Sequence, residues 1–257
     1  MDYLDELTGI NWLLEYCKEN GYSQIIYNGV VVLAFFIQIV FLLHYRNRYD
    51  ISAKHTAIVL TVVYPIVYFW MLVLAWVANG FKNWGANNFV RVFVWIPLFI
   101  LAIAKIMKLD ARKLCDFFAP SMALEQAVGH LVCPFAGCCY GYPCSWGIWN
   151  PNQKEYLFPN QWLECGVAFL IFFYLLWYAK KRSFKGDGRV CAWFLILFGG
   201  TRFFLEFLRD NNKLFLGISN LALHAALMVI VGWIWLSVRK DLDRTAAELK
   251  AKKKKRK

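Results

Sequence analysis

The sequence predicts an all-α polytopic membrane protein, with seven transmembrane helices, the N-terminus outside and the C-terminus in the cytoplasm. Three observations lead there. Apolar side chains make up 60% of the 257 residues and charged ones only 18%, whereas a soluble domain sits nearer half apolar and a quarter charged. Such a chain has too little polar surface to wrap its own core, which excludes disorder, collagen-like repeats and a soluble nucleic-acid binder. Seven stretches are long and apolar enough to cross a bilayer as helices. The loops between them alternate between basic and nearly neutral.

Taken in order, residues 1–24 form an extracytoplasmic lead that is acidic at Asp2, Asp5, Glu6 and Glu15. It lacks the basic region and apolar core of a secretory signal peptide. The transmembrane domain covers 25–237, with spans at 25–44, 56–79, 89–107, 116–140, 162–179, 191–208 and 214–237. The fourth is the most polar, holding Pro120, Glu125, Gln126, His130 and Pro134, and reads as a broken or re-entrant segment, which needs cover from protein or water. Arg46, Arg48 and Lys54 follow the first span, Lys105, Lys108, Arg112 and Lys113 the third, and Lys180, Lys181, Arg182, Lys185 and Arg189 the fifth. The loops after the second and fourth spans carry almost no net charge, so the positive-inside rule sets the orientation. The longest connection, 141–161, lies outside. No repeat and no domain linker stands out.

Residues 238–257 form a cytoplasmic polybasic tail. From Arg239 onward, ten basic and three acidic residues give +7 of the total +12. A basic tail just past an apolar span is drawn to anionic lipid headgroups, at about 1 kcal/mol per residue. That position makes lipid the expected partner, and no nucleic acid.

Ionisable groups inside spans cost about 2.5–3.5 kcal/mol each on insertion scales, so each needs a partner or a purpose. Arg202, Glu206 and Arg209 recur at helical spacing and share one face of the sixth span. Arg202 falls about 9 Å below its outer end. Gly199 and Gly200 open that helix to a close neighbour. Two guanidiniums against one carboxylate leave surplus positive charge at headgroup depth, where Arg can hold a phosphate bidentately. Glu125, Gln126 and His130 come to the same depth from the fourth span, Asn220 and His224 from the seventh, and Arg91 from the third. Together they predict a buried polar cavity facing the outer leaflet.

Four of the eight cysteines cluster as Cys133, Cys138, Cys139 and Cys144. Their spacing fits paired zinc ligands poorly. An exterior disulfide is an alternative, and packing of small residues with Gly137 and Gly141 is the plainest reading.

Three blocks carry a family resemblance. The first is Asp116-Phe117-Phe118-Ala119-Pro120 with Gly129-His130-Leu131-Val132-Cys133-Pro134-Phe135-Ala136-Gly137-Cys138-Cys139-Tyr140-Gly141. The second is Pro159-Asn160-Gln161-Trp162-Leu163-Glu164, and the third is Gly200-Thr201-Arg202-Phe203-Phe204-Leu205-Glu206-Phe207-Leu208-Arg209. In this order they resemble the D-x-x-A-P stretch, the G-R-x-G-[NC]-F-x-x-G signature, the H-P-[ST]-Q-L-Y-E block and the Y-G-x-x-R-F-x-x-E-F-x-R block of the prolipoprotein diacylglyceryl transferases of the bacterial inner membrane. The resemblance covers about 105–237, with a further match at Tyr27-Asn28-Gly29. The chain departs from the pattern in four places. His130 stands for the signature arginine, Cys138 for an acidic residue and Phe158 for a histidine, and Val90-Arg91 occupies the region of the family's H-G-G.

The resemblance implies transfer of the diacylglyceryl group of phosphatidylglycerol to the thiol of a lipobox cysteine in a prolipoprotein, releasing glycerol phosphate, with no cofactor or metal. It implies Arg202 on the phosphate, Glu206 holding Arg202, and His130 as base or phosphate partner, since imidazole titrates near neutrality. Arg91, Arg209, Gln126, Tyr27 and Tyr140 follow as lipid contacts. The departures leave open a diverged lipid-binding protein or another headgroup transferase. A seven-helix photoreceptor shares the span count, but the last span has no central lysine for a retinal Schiff base.

Overall fold

Helices run through the apolar stretches in the computed structural model of the chain, which describes residues 9–78, 81, 89–209, 213–215 and 218–255. A short helix α1 (Ile10–Glu19) precedes α2 (Ser23–Tyr45). After a 3-10 turn at Arg46–Tyr49 come α3 (Ala53–Ile58) and α4 (Tyr64–Ala78), joined by a π-helical turn at Val59–Val63. Then follow α5 (Phe89–Ile106), α6 (Ala111–Leu131), α7 (Cys133–Ala136), α8 (Asn160–Lys181), α9 (Arg189–Glu206) and α10 (Asn220–Lys255). Among the described residues, three helical segments are long and apolar enough to cross a membrane: Ser23–Tyr49, Asn160–Lys181 and Leu221–Thr245. Large apolar side chains point outward along them, among them Phe36, Leu170, Phe173, Trp177 and Trp233, as a lipid-facing surface requires.

Among the described residues, the most polar expected span is the best buried helix. α6 packs against α2, α5, α8 and α9, and Asp116 through Ala123 are all buried. Neighbouring helices cover it, so it has no lipid-facing stripe to keep apolar, which explains its low hydropathy. It does not run to residue 140: it stops at Leu131, and the chain turns through α7 into an irregular loop. Gln38 on α2 ties the bundle to it, donating to Tyr64 Oη at 2.6 Å and Ser121 Oγ at 3.3 Å.

The outside loop adds small sheets to the expected all-α fold. Strands β1 (Pro143–Asn150) and β2 (Glu155–Leu157) form an antiparallel hairpin, with Trp149 opposite Tyr156 and Asn150 opposite Glu155. A second antiparallel pair, β3 (Lys213–Phe215) and β4 (Ile218–Ser219), fills the start of the expected last span. α10 therefore begins at Asn220 and continues as helix across the expected tail boundary at 238.

Contacts sort the loops to two ends. At one, α1 grips the hairpin: the Trp149 amide donates to Asn11 Oδ1 at 2.8 Å and Lys18 Nζ to Asn152 Oδ1 at 2.6 Å. The loop at 139–142 and the end of α9 meet there too, Tyr142 N donating to Leu208 O at 3.2 Å. At the other end, Lys113 pairs with Asp50 at 3.3 Å, Arg182 with Asp187 at 2.6 Å, and Arg189 with Asp243.

The close approach expected at Gly199 occurs: a Cβ there would lie 2.7 Å from Ala225 O of α10. α9 starts on Gly188, whose φ of 90° and 2.6 Å clearance to Trp235 Nε1 leave no room for a side chain. Its first amides find a buried partner, since Gly188 N and Cys191 N donate to the two oxygens of Asp116 at 2.8 and 2.9 Å. The leading aspartate of the D-x-x-A-P block is thus an N-terminal cap supplied by another helix.

Two stability predictions follow from these loops. Asp116→Ala should cost about 1–3 kcal/mol and Asp116→Asn less, because its amide oxygen keeps one acceptor; melting curves in detergent read both. At Asp187, burial pushes the carboxyl up, but the Arg182 guanidinium outweighs it and holds it below the usual carboxylate range. Its stabilisation is then present above the unfolded value near 3.9 and lost as pH falls through the lower folded value. The melting-temperature gap between the protein and Asp187→Asn should be constant above about pH 5 and close under stronger acid.

Candidate functional site

α8 starts and α9 ends at the hairpin end of the bundle, so the first turn of one lies beside the last turn of the other. This geometry brings Glu164, one turn into α8, against Arg202, one turn from the end of α9. Glu164 Oε1 accepts from an Arg202 guanidinium nitrogen, from Arg209 Nη2 at 2.6 Å and Nε at 3.0 Å, and from Asn160 Nδ2 at 2.8 Å. Its other oxygen lies 2.8 Å from His130 Nε2, in the last turn of α6. Arg202 Nη2 also reaches Glu206 Oε2 at 3.0 Å, and Ser219 Oγ donates to Glu206 Oε1 at 2.8 Å. Gln126 contacts His130 across one helical turn. All five ionisable groups are buried.

Arg202, Glu206, Arg209, His130 and Gln126 are thus brought together as the sequence suggested, with two differences. α9 ends at Glu206, so Arg209 is no longer on its helical face. It reaches the cluster from the following turn, where Arg209 N donates to Glu206 O at 3.2 Å. The expected surplus of positive charge is also reduced: Glu164 brings a second carboxylate, so two guanidiniums face two carboxylates and any excess lies with His130.

Glu125 turns to the other side of α6, toward Gln38. Tyr140 props the hairpin, its phenol donating to Trp149 O at 3.2 Å amid Ile148 and Leu157. Tyr27 is half-buried on α2, which packs on α7. His224 is half-buried on α10. The side chains of Arg91 and Asn220 lie outside the described residues. The eight cysteines are free thiols.

Glu164, the hub of the cluster, received no role from the sequence. It stood inside the second family block and is the only acidic residue of α8. Its neighbour Gln161 is fully buried, with both amide atoms unpaired by protein. A narrow cleft opens from the cluster between α6, α8 and α9. Gln126, Glu164, Thr201 and Arg202 form its polar end, and Val167, Ala168, Ile171, Phe198 and Leu205 its apolar walls. The cleft thus has a polar, cation-bearing end continued by an apolar slot.

The sequence profile of the prolipoprotein diacylglyceryl transferase family matches residues 20–239. A phosphatidylglycerol–prolipoprotein diacylglyceryl transferase of Clostridium tetani is 33% identical over 144 residues, 52% of this chain and 54% of the relative. A second, from Clostridium perfringens, is 30% identical over 165 residues, 62% and 61% of the two chains. One from Leptospira interrogans is 30% identical over 141 residues, 48% of this chain and 41% of the relative. The chain therefore spans about half the length of the curated relatives it matches.

Glu164 partners three basic side chains, Arg202, Arg209 and His130, and Glu206 pairs with Arg202. Glu164→Gln should therefore destabilise the protein by about 3–5 kcal/mol, the cost of leaving buried charges uncompensated. Glu206→Gln should cost clearly less, because Ser219 and the rest of the cluster remain; thermal unfolding in detergent compares the two.

Proposed function

The chain belongs to the prolipoprotein diacylglyceryl transferase family, and on that premise we propose that it moves the diacylglyceryl group of phosphatidylglycerol onto the thiol of a lipobox cysteine. The observation that carries this is the buried Arg202–Glu164–Arg209 arrangement at the mouth of an apolar cleft.

Displacing a phosphate from glycerol needs positive charge on the leaving group and an acceptor for the thiol proton. In the protein alone, Glu164 occupies the anion position between the two arginines. An incoming lipid phosphate takes that position, bidentate on Arg202 and assisted by Arg209. Glu206, itself held by Ser219, keeps the Arg202 guanidinium aimed during the exchange. Glu164, released from the arginines, remains on His130, and this couple accepts the thiol proton. One acyl chain lies along Val167, Ala168, Ile171 and Leu205. Gln161 offers a buried amide to the headgroup hydroxyls.

The enzyme works in the bacterial inner membrane with seven spans, its N-terminus outside and its C-terminus inside. Two groups of contacts support that orientation. α1 and the 143–157 hairpin meet at the site's end, while the basic loops 46–54, 105–113 and 180–189 meet at the other. The helical basic end of α10 then lies against anionic headgroups of the inner leaflet.

Arg202→Ala should lower transfer at least about 100-fold, as loss of a transition-state charge partner does. Arg202→Lys should recover part of it, keeping the charge without the bidentate fork. Proteoliposomes containing phosphatidylglycerol and a lipobox peptide measure both. Unchanged transfer by Arg202→Ala in a folded protein would refute the assignment.

A further inference from the structure

Beside the arginine pair lies a second group of reactive side chains. Donor atoms of His130, Cys133 and Cys139 all lie within 4.8 Å of one another. His130 closes α6 and Cys133 opens α7. Gly137 and Cys139, both left-handed at φ 65°, then turn the chain so that Cys139 returns over them. That conformation costs a residue bearing a Cβ about 1–2 kcal/mol, so the fold holds Cys139 there against its own preference. No other cluster of this kind occurs among the described residues.

We propose that His130, Cys133 and Cys139 bind a thiophilic divalent cation of the zinc class, leaving one coordination position for the thiol of the substrate cysteine. The donor set is soft sulfur and imidazole, the combination that selects such ions over magnesium or calcium. Tetrahedral zinc with sulfur at about 2.3 Å and nitrogen at about 2.0 Å spaces its ligand atoms about 3.5–3.8 Å apart, within the 4.8 Å that bounds the present separations. Three protein ligands and an open fourth position characterise reactive zinc sites, as opposed to structural ones. Two thiolates neutralise the ion, so it adds no net charge beside Arg209.

The outer contacts agree. Glu164 Oε2 stands 2.8 Å from His130 Nε2, the carboxylate–imidazole relation that orients metal-bound histidines. Nδ1 is then the ring nitrogen left for the ion; it now faces the Gln126 side-chain amide and lies 3.1 Å from the Gln126 backbone carbonyl, both of which the ion would replace as partners.

The cation site stands on the cluster alone, while its task rests on the transferase reading. A coordinated thiol is deprotonated, and its proton passes to Glu164. The metal-bound sulfur then forms a bond to the glycerol carbon, and the bond from that carbon to the phosphate oxygen breaks. The electron pair leaves with glycerol phosphate, which also takes the proton from Glu164.

The test uses the full-length protein purified in detergent under reducing, anaerobic conditions. One equivalent of zinc should co-purify, and cobalt(II) should replace it with a sulfur-to-cobalt charge-transfer band and tetrahedral d–d bands. Cys133→Ser and Cys139→Ser should each weaken cobalt binding at least about 100-fold, more than loss of an outer partner does, and Cys17→Ala should leave it intact. A lipobox peptide should intensify the charge-transfer band, and its Cys→Ser version should not. No zinc or cobalt bound, binding that survives both serine variants, or a Cys133–Cys139 disulfide in anaerobically prepared protein would each overturn the site. Cobalt bound without response to the cysteine peptide would overturn its task. A peptide response with no diacylglyceryl transfer would support the site and refute the transferase reading instead.

Discussion

One carboxylate organises the functional end of this molecule. Glu164 is buried between Arg202, Arg209 and His130, and none of these ions is stable there without the others. Taking a charge out of water costs several kcal/mol even after relaxation, and mutual attraction offsets this only where geometry is good and leftover donors find partners. Asn160 and Ser219 supply those additional hydrogen bonds. The cluster therefore fixes how α6, α8, α9 and the turn after α9 meet.

The same interaction gives the site a way to respond to a ligand. A carboxylate shared by two arginines is a pre-formed anion position, and a phosphate presents the same planar pairs of acceptors to a guanidinium. On the proposed reading, the entering phosphate adds one negative charge between the arginines and frees Glu164 beside His130, where the carboxylate can take up a proton. The scaffold around this exchange is stiff. Asp116 caps α9 from α6, and α10 closes on Gly199, so Arg202 is carried by a helix fixed at its start and along its length.

Much of this was legible in the sequence, because ionisable residues inside apolar stretches are few and each must be accounted for. Arg202 and Glu206 announce themselves by i,i+4 spacing, and Arg209 by its place in the same block. Glu164 does not, because its partners lie 38 and 45 positions away on other elements and no local pattern encodes a contact at that range. Low hydropathy marked 116–140 as a weak span, whereas the packing makes its helical part the most shielded one; apolar counts measure contact with lipid and not depth in a bundle. Tyr140 stands in the first family block, and its hydroxyl donates to the hairpin backbone at Trp149 O. The cysteine spacing hid the cluster with His130, since a histidine completes it where cysteine pairs were sought.

The central claim is that a lipid phosphate takes the place of Glu164 between Arg202 and Arg209. Electron cryo-microscopy of the protein in phosphatidylglycerol nanodiscs tests it most directly. The expected map shows phosphate density within hydrogen-bonding distance of both guanidiniums, acyl density along Val167 and Ile171, and the Glu164 side chain turned toward His130. Lipid bound with its phosphate away from both arginines, or Glu164 still bridging them with the lipid in place, would contradict it.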